Sequence, residues 1–308
     1  MKSLNEIKGV IPAMISCFDE AGNYDEKAQR DLTRFLIDRG VNALYLTGST
    51  GEAFMMNERS RKILVENVID EVNSRIPIIV HVGDIGTNKS IDYAKHAEKT
   101  GADAISSVPP FYWKFTKEEI LSYYRDVSGA VNIPMIVYNI ALAGMVDFET
   151  IKKLSNIENV KGIKYTGSTH HEIIRIKDEI SSNFMIYSGV DEMASSGLAY
   201  GSDGIIGSFY NVIPELFIGI YDAVCANDIA KAVFLQKKAN AVIFYVLNNH
   251  FFDTIKAMLH WADVCHCTVL KPFYRLNSDD EIAIKKGLIE IIKKYDITEC
   301  EVLNRIVS

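Results

Sequence analysis

The sequence predicts an α/β fold, a TIM (β/α)8 barrel with a C-terminal helical extension. Eight short runs rich in β-forming residues recur along the chain, and each is followed by turn residues and then by a helical pattern. The first run begins at residue 9 and the eighth at residue 204, so one repeat takes about 28 residues, the size of a barrel βα unit. No GxGxxG motif follows the first run, which disfavours a dinucleotide-binding sheet.

The eight runs read as strands because they are nearly continuously apolar, as in a parallel sheet covered by helices on its outer face. The predicted strands are 9–15, 43–47, 77–83, 104–108, 134–139, 160–166, 185–189 and 204–208. The predicted helices between them are 25–39, 57–73, 89–100, 117–129, 147–155, 170–180, 192–200 and 214–226. Asn57 and Asp147 precede acidic first turns and are therefore predicted to be N-caps.

After Asp228 the strand signals stop. Helical patterns continue at 229–249, 252–263 and 279–295, with Lys271-Pro272 as a breaker before the last of them. The sequence therefore predicts a catalytic barrel domain at 1–227 and a helical domain at 228–308 that packs on the barrel.

The charge and the composition of the chain exclude several classes of function. The 308 residues carry a formal net charge of −7, which argues against nucleic acid and anionic membranes as main partners. There is no run of 18 apolar residues, and the first residues lack the apolar core of a signal peptide. The expected location is the cytoplasm.

The five cysteines form an odd set without a CxxC pair, so the sequence predicts buried thiols rather than a disulfide framework. Cys265-His266-Cys267, with His250 and His260 upstream, could be read as a zinc cluster. Its spacing matches no common structural zinc pattern, so no metal is predicted.

The most informative strand is 160–166, which contains a lysine. Alternation of side chains puts Lys164 on the same face as Gly162, and no acid lies within two positions to pair with it. An unpaired buried ammonium is costly, so the neutral amine is favoured, and such an amine forms Schiff bases with ketones. The alternative is an edge-strand lysine whose amine reaches water.

Other polar residues follow the strands at the end where barrel active sites lie. Ser49 and Thr50, between Gly48 and Gly51, could present hydroxyl and N–H groups to an anion, or form an ordinary turn. Tyr138 could act as an acid/base, or be a core tyrosine.

Two further strands end in polar groups at the same rim. The adjacent acids Asp191 and Glu192 could bind polyol hydroxyls, or simply begin the next helix. Ser208 adds another hydroxyl after the eighth strand.

Taken in order, the motifs 48–52 (Gly-Ser-Thr-Gly-Glu), 138–139 (Tyr-Asn), 162–164 (Gly-Ile-Lys) and 189–192 (Gly-Val-Asp-Glu) resemble the N-acetylneuraminate lyase and dihydrodipicolinate synthase family of Schiff-base aldolases. The resemblance extends from about residue 7 to the C-terminal helices, and the lyase branch of the family matches best. It implies reversible cleavage of N-acetylneuraminate to N-acetylmannosamine and pyruvate, without a metal or organic cofactor.

The resemblance also implies residue roles. Lys164 would be the Schiff-base lysine, Tyr138 the acid/base, and Ser49 with Thr50 the holders of the keto-acid carboxylate. The amide and hydroxyls of the sugar chain would be held by Thr166, Gly189, Asp191, Glu192 and Ser208. Tyr112 matches a tyrosine that reaches into a neighbouring subunit's site, which implies a homotetramer.

Three positions depart from the family pattern. Ala141 replaces a usual proline, and the loop around it lacks the arginine with which the synthase branch binds a second carboxylate. Thr169 and Phe209 replace an aspartate and a threonine at the sugar end. The alternatives left open are another 2-keto acid aldolase, a dihydrodipicolinate synthase-like enzyme, and a non-catalytic keto-acid-binding regulatory barrel.

Overall fold

A computed structural model describes residues 3–308 and confirms the barrel prediction. Eight parallel strands lie in the order β1-β8-β7-β6-β5-β4-β3-β2, and a parallel bridge between Ala13 and Tyr45 joins β1 to β2 and closes the ring. The strands are β1 Gly9–Pro12, β2 Leu44–Leu46, β3 Ile78–His81, β4 Ala104–Ser107, β5 Met135–Ile140, β6 Val160–Thr166, β7 Met185–Ser188 and β8 Gly204–Gly207.

Helices follow the strands as the sequence predicts. They are α1 Glu26–Asp38, α2 Glu58–Val72, α3 Thr87–Thr100, α4 Lys117–Gly129, α5 Phe148–Leu154, α6 His171–Glu179, α7 Ala194–Ala199 and α8 Pro214–Cys225. Both predicted caps are confirmed. The Asn57 side chain accepts from the backbone N–H of Ser60 at 2.9 Å, and that of Asp147 accepts from Thr150 at 3.0 Å.

Strand alternation divides the buried side chains into two sets. One set fills the barrel and includes Ile11, Tyr45, Ile136, Tyr138 and Tyr187. The other lies between the strands and the surrounding helices. Tyr138 therefore points into the barrel, on the face shared with Ile136, as the sequence predicts.

The chain ends in four further helices, α9 Ile229–Leu247, α10 Phe251–Trp261, α11 Ser278–Lys294 and α12 Glu301–Val307. Their buried residues belong to the same hydrophobic cluster as the outer face of the barrel, so this extension packs on the barrel. The sequence missed α12, because seven residues show too few turns for a helical period to stand out. The boundary at 227/228 stays a prediction.

Every helix within residues 3–308 is too short or too polar to cross a membrane.

Candidate active site

The ends of the strands position the predicted residues around Lys164. This side chain is only 3% exposed, and its amine lies 4.1 Å from the ring centroid of Tyr138 and 4.6 Å from that of Tyr45. None of the ion pairs within residues 3–308 includes Lys164. The amine is therefore held inside the barrel by aromatic faces rather than at an edge in water.

Tyr138 is fixed by its neighbours. Its ring packs edge-on against Tyr45, with centroids 6.1 Å apart, and against His81, with centroids 5.9 Å apart. The Tyr45 hydroxyl and the Ser106 hydroxyl are 3.0 Å apart, so the neighbouring ring is itself held by a hydrogen bond. Burial lowers the pKa of His81 well below its ordinary value, which keeps this imidazole neutral beside the amine.

A missing side chain makes room next to the amine. A Cβ atom on Gly189 would lie 2.1 Å from the Thr166 hydroxyl oxygen and 3.1 Å from Cε of Lys164. Glycine is thus required there by close approach. The Thr166 hydroxyl is buried and has no hydrogen-bond partner in the described structure, so it is available to a ligand.

The loop 48–52 follows β2 and meets β8. The hydroxyls of Thr50 and Ser208 are 2.7 Å apart and form a hydrogen bond, which joins two predicted site residues that are distant in sequence. Ser49 is half-buried at the same turn. The backbone at Glu52 is left-handed, with φ of 56°, so the loop turns sharply after the two hydroxyls.

Glu52 anchors this loop to the helical extension. Its carboxylate forms an ion pair with Lys256 of α10 and accepts the backbone N–H of Leu270 at 2.7 Å. Both charged side chains are almost completely buried. In the sequence Glu52 stands only as the end of a motif, and Lys256 cannot be predicted as its partner, because no local pattern joins residues so far apart.

Asp191 is buried at the rim, where its carboxylate accepts the backbone N–H of Phe209 at 2.9 Å. Burial is the main cause that raises the pKa of Asp191 to about 7. A Cβ atom on Gly207 would lie 1.9 Å from the same carboxylate, so glycine is required opposite this acid. Glu192 follows and is half-buried.

Helix α9 holds the turn that carries these acids. The Gln236 side chain donates to the carbonyl of Asp191 at 2.9 Å, and that of Asn240 donates to the carbonyl of Glu192 at 3.1 Å. The sequence offered no signal for this support.

Two departures at the sugar end have local partners. The Phe209 ring is 3% exposed and packs against Phe251 of α10, with centroids 5.5 Å apart, so the ring lies in the hydrophobic core. The Thr169 hydroxyl lies 2.6 Å from that of Tyr165 and forms a hydrogen bond with it. The third departure, Ala141, begins a short 3-10 turn after β5.

Tyr112 differs from the other predicted site residues because its side chain is exposed. Its side chain is 87% exposed, and the adjacent Trp113 is 74% exposed. Its backbone is left-handed, with φ of 89°. A role in the site of a neighbouring subunit stays a prediction.

The arrangement combines a buried amine, a phenol beside it, a hydroxyl-bearing loop after β2 and two acids after β7. An amine in such a site can attack a ketone, and the phenol can move the proton that this step requires. The loop hydroxyls can bind a carboxylate next to that ketone, while the acids can bind hydroxyls farther along the substrate.

The chain is similar to known proteins along most of its length. The model of the Dihydrodipicolinate synthetase family matches residues 6–291. A protein named N-acetylneuraminate lyase 2 from Escherichia coli is 36% identical over 295 residues, which are 94% of this chain and 96% of that protein.

Solved structures are also similar. CdNal from Clostridium difficile, in complex with mannosamine, has a TM-score of 0.89 and 32% identity over 94% of this chain and 99% of that one. A catalytic lysine mutant of the sialic acid aldolase from Ruminococcus gnavus has a TM-score of 0.91 and 29% identity over 96% of this chain and 99% of that one.

Proposed function

The chain belongs to the dihydrodipicolinate synthetase family, and from that membership and the site around Lys164 we propose that it is an N-acetylneuraminate lyase. It is then a carbon–carbon lyase that reversibly cleaves N-acetylneuraminate to N-acetylmannosamine and pyruvate. The observation that carries the proposal is the buried amine over the Tyr138 ring, at the strand ends of a barrel of this family. No resident metal or organic cofactor enters the reaction.

The reaction begins at Lys164. Its neutral amine attacks the C2 ketone of the open-chain sugar acid to give a carbinolamine. Tyr138 then donates the proton with which the carbinolamine hydroxyl leaves as water, so that a protonated imine and a Tyr138 phenolate result. The C3–C4 bond then breaks, its electron pair moves toward the imine nitrogen, and the C4 hydroxyl proton passes to Tyr138. The resulting enamine is protonated at C3, and water hydrolyses the imine to release pyruvate and the free lysine.

The remaining residues bind and orient the substrate. Ser49 and Thr50 hold the carboxylate, and the Thr50–Ser208 hydrogen bond supports this role because it fixes one hydroxyl of the loop. The Thr166 hydroxyl has no hydrogen-bond partner within the described residues and can bind a substrate oxygen. Gly189 leaves the space that this hydroxyl occupies, because a Cβ atom there would clash with it. Asp191, Glu192 and Ser208 bind the amide and hydroxyls of the sugar chain.

Borohydride trapping tests the carbon–nitrogen step. Reduction in the presence of pyruvate should leave one reduced pyruvyl group per chain, and peptide mapping should place it on Lys164. Lys164→Ala should remain folded and lose turnover, and Lys164→Arg should also be inactive because a guanidinium stays protonated. Lys161→Ala is the matched control, since Lys161 is exposed on the same strand. An adduct on another lysine, or none, would contradict the mechanism.

A panel of sugar acids tests which substrate the protein prefers. Pyruvate release should be fastest with N-acetylneuraminate. Preference for a shorter keto-sugar acid would assign the chain to another 2-keto acid aldolase. A Lys164 adduct without release from any sugar acid would instead favour a regulatory keto-acid binder.

A homotetramer belongs to the same proposal, with Tyr112 reaching a neighbouring site. The large exposed side chains of Tyr112 and Trp113 support it, because contiguous exposed apolar groups are typical of protein contacts. Light scattering should give four chains per particle, and Tyr112→Ala should lower turnover. A fully active monomer would contradict the proposed homotetramer.

The proposed location is the cytoplasm. The five free cysteines support a reducing compartment, and cell fractionation can check it.

A further inference from the structure

Three cysteine thiols that are distant in sequence meet beside the barrel, away from Lys164. Cys17 lies after β1, and Cys265 with Cys267 lie between α10 and α11. Their sulfur atoms all lie within 4.8 Å of one another, and all three side chains are buried. In the sequence Cys265 and Cys267 stand near two histidines, and no local pattern points to Cys17 as the third thiol.

The backbone around the cluster is held in place by hydrogen bonds. The Thr268 N–H donates to the carbonyl of Phe18 at 2.9 Å, which ties the two segments together directly beside the cysteines. The N–H of Cys17 donates to the Gln29 side chain at 2.9 Å, and its carbonyl accepts from the N–H of Asp25 at 2.9 Å. The fold therefore holds the backbone on which the three sulfur atoms meet.

The spacing suits metal coordination. Zinc–thiolate bonds of about 2.3 Å place tetrahedral sulfur ligands about 3.8 Å apart, so the cluster needs a contraction of at most about 1 Å. Thiolates select thiophilic cations such as Zn²⁺ over Mg²⁺ or Ca²⁺. We propose that Cys17, Cys265 and Cys267 bind one Zn²⁺ per chain, with a solvent molecule as the fourth ligand.

Charge favours a divalent ion in this place. Three thiolates carry three negative charges, and a monovalent ion would leave two of them uncompensated in a buried site. A divalent ion leaves only one charge to be compensated by its surroundings.

An entry path reaches the cluster from the surface. A cleft of about 720 Å³ has Cys265 in its wall, next to His266 and His260, whose rings stack with centroids 4.2 Å apart. The cleft is also lined by charged side chains of both signs, including four carboxylates, those of Asp25, Asp31, Asp38 and Asp263. A cation can therefore approach the cluster at Cys265, and we expect solvent to reach the fourth ligand position from the same side.

Cobalt titration of the reduced, metal-free full-length chain tests the proposal. Co²⁺ should give a sulfur-to-metal charge-transfer band and tetrahedral visible bands that saturate at one ion per chain, and Zn²⁺ should abolish them. Cys17→Ser and Cys267→Ser should lose the charge-transfer band. Cys300→Ser, the matched control, changes a cysteine that is equally buried but outside the cluster, and should keep it.

Thermal unfolding of the wild-type chain measures Zn²⁺ binding without the use of variants. Zn²⁺ at a hundredfold excess over its Kd should raise Tm by about 4 °C, and a chelator should reverse the rise. No thiolate band in the wild type, or a band that survives both Cys17→Ser and Cys267→Ser, would overturn the proposal. A disulfide between Cys17 and either partner in the isolated protein, with no metal bound after reduction, would also overturn it.

Discussion

Replacing Asp191 with asparagine should change how the stability of the protein depends on pH. The pKa of Asp191 rises from 3.8 to about 7, mainly through burial. A rise of about three pH units, at about 1.4 kcal/mol each, corresponds to about 4 kcal/mol. Because the folded-state pKa is raised, the stabilising effect of the protonated acid is complete below about pH 4 and is lost as the pH rises through 7.

Asp191→Asn cannot ionise, and its amide oxygen can still accept the Phe209 N–H. The variant should therefore unfold with a free energy within about 1 kcal/mol of the wild-type value at pH 4.5. At pH 8 it should be more stable than the wild type by up to about 4 kcal/mol.

Urea unfolding followed by circular dichroism, at one protein concentration and from pH 4.5 to 8, measures this difference. Asp178→Asn, on the exposed face of α6, is the control and should leave the pH dependence unchanged. A difference between the wild type and Asp191→Asn that stays constant across this range would refute the reasoning, because Asp191 would then titrate alike in the folded and unfolded chains.

The same variant should lose activity. Removing a partner of a buried substrate hydroxyl costs about 1–3 kcal/mol, or roughly 5- to 150-fold in kcat/KM. Asp191→Asn should cleave N-acetylneuraminate more slowly while the pyruvate adduct on Lys164 forms normally. Normal cleavage by this variant would remove Asp191 from the proposed sugar-binding residues. An acid that costs stability at neutral pH is thus expected to be kept for its substrate contact.

Three other variants test other parts of the site. Tyr138→Phe should lower the cleavage rate by roughly 10²–10⁴-fold, while borohydride trapping should still detect a pyruvate adduct on Lys164. Near-normal turnover of this variant would show that Tyr138 only packs in the core. Glu192→Gln should lower kcat/KM for N-acetylneuraminate by roughly 5- to 150-fold without affecting that adduct, whereas unchanged kinetics would exclude a sugar contact. Lys256→Met should lower the free energy of unfolding by about 3–5 kcal/mol in urea, because it leaves Glu52 buried and unpaired. The double variant with Glu52→Gln should recover part of that loss, and equal losses in both would argue against an uncompensated charge as the cause.

The sequence by itself was sufficient for the barrel and for the direction of Lys164. Both depend on local rules: strand and helix periods extend over a few residues, and a side chain two positions from Gly162 must share its face. The caps at Asn57 and Asp147 are local in the same sense. For that reason each of these features could be predicted from a short stretch of chain.

Only the tertiary structure decided which distant residues meet. Closing the barrel brings Thr50 to Ser208, and packing of the extension brings Lys256 to Glu52 and two late cysteines to Cys17. Such contacts follow from the path of the whole chain, and no sequence period encodes them. The raised pKa of Asp191 belongs to the same class, because it results mainly from burial by residues far from it in sequence.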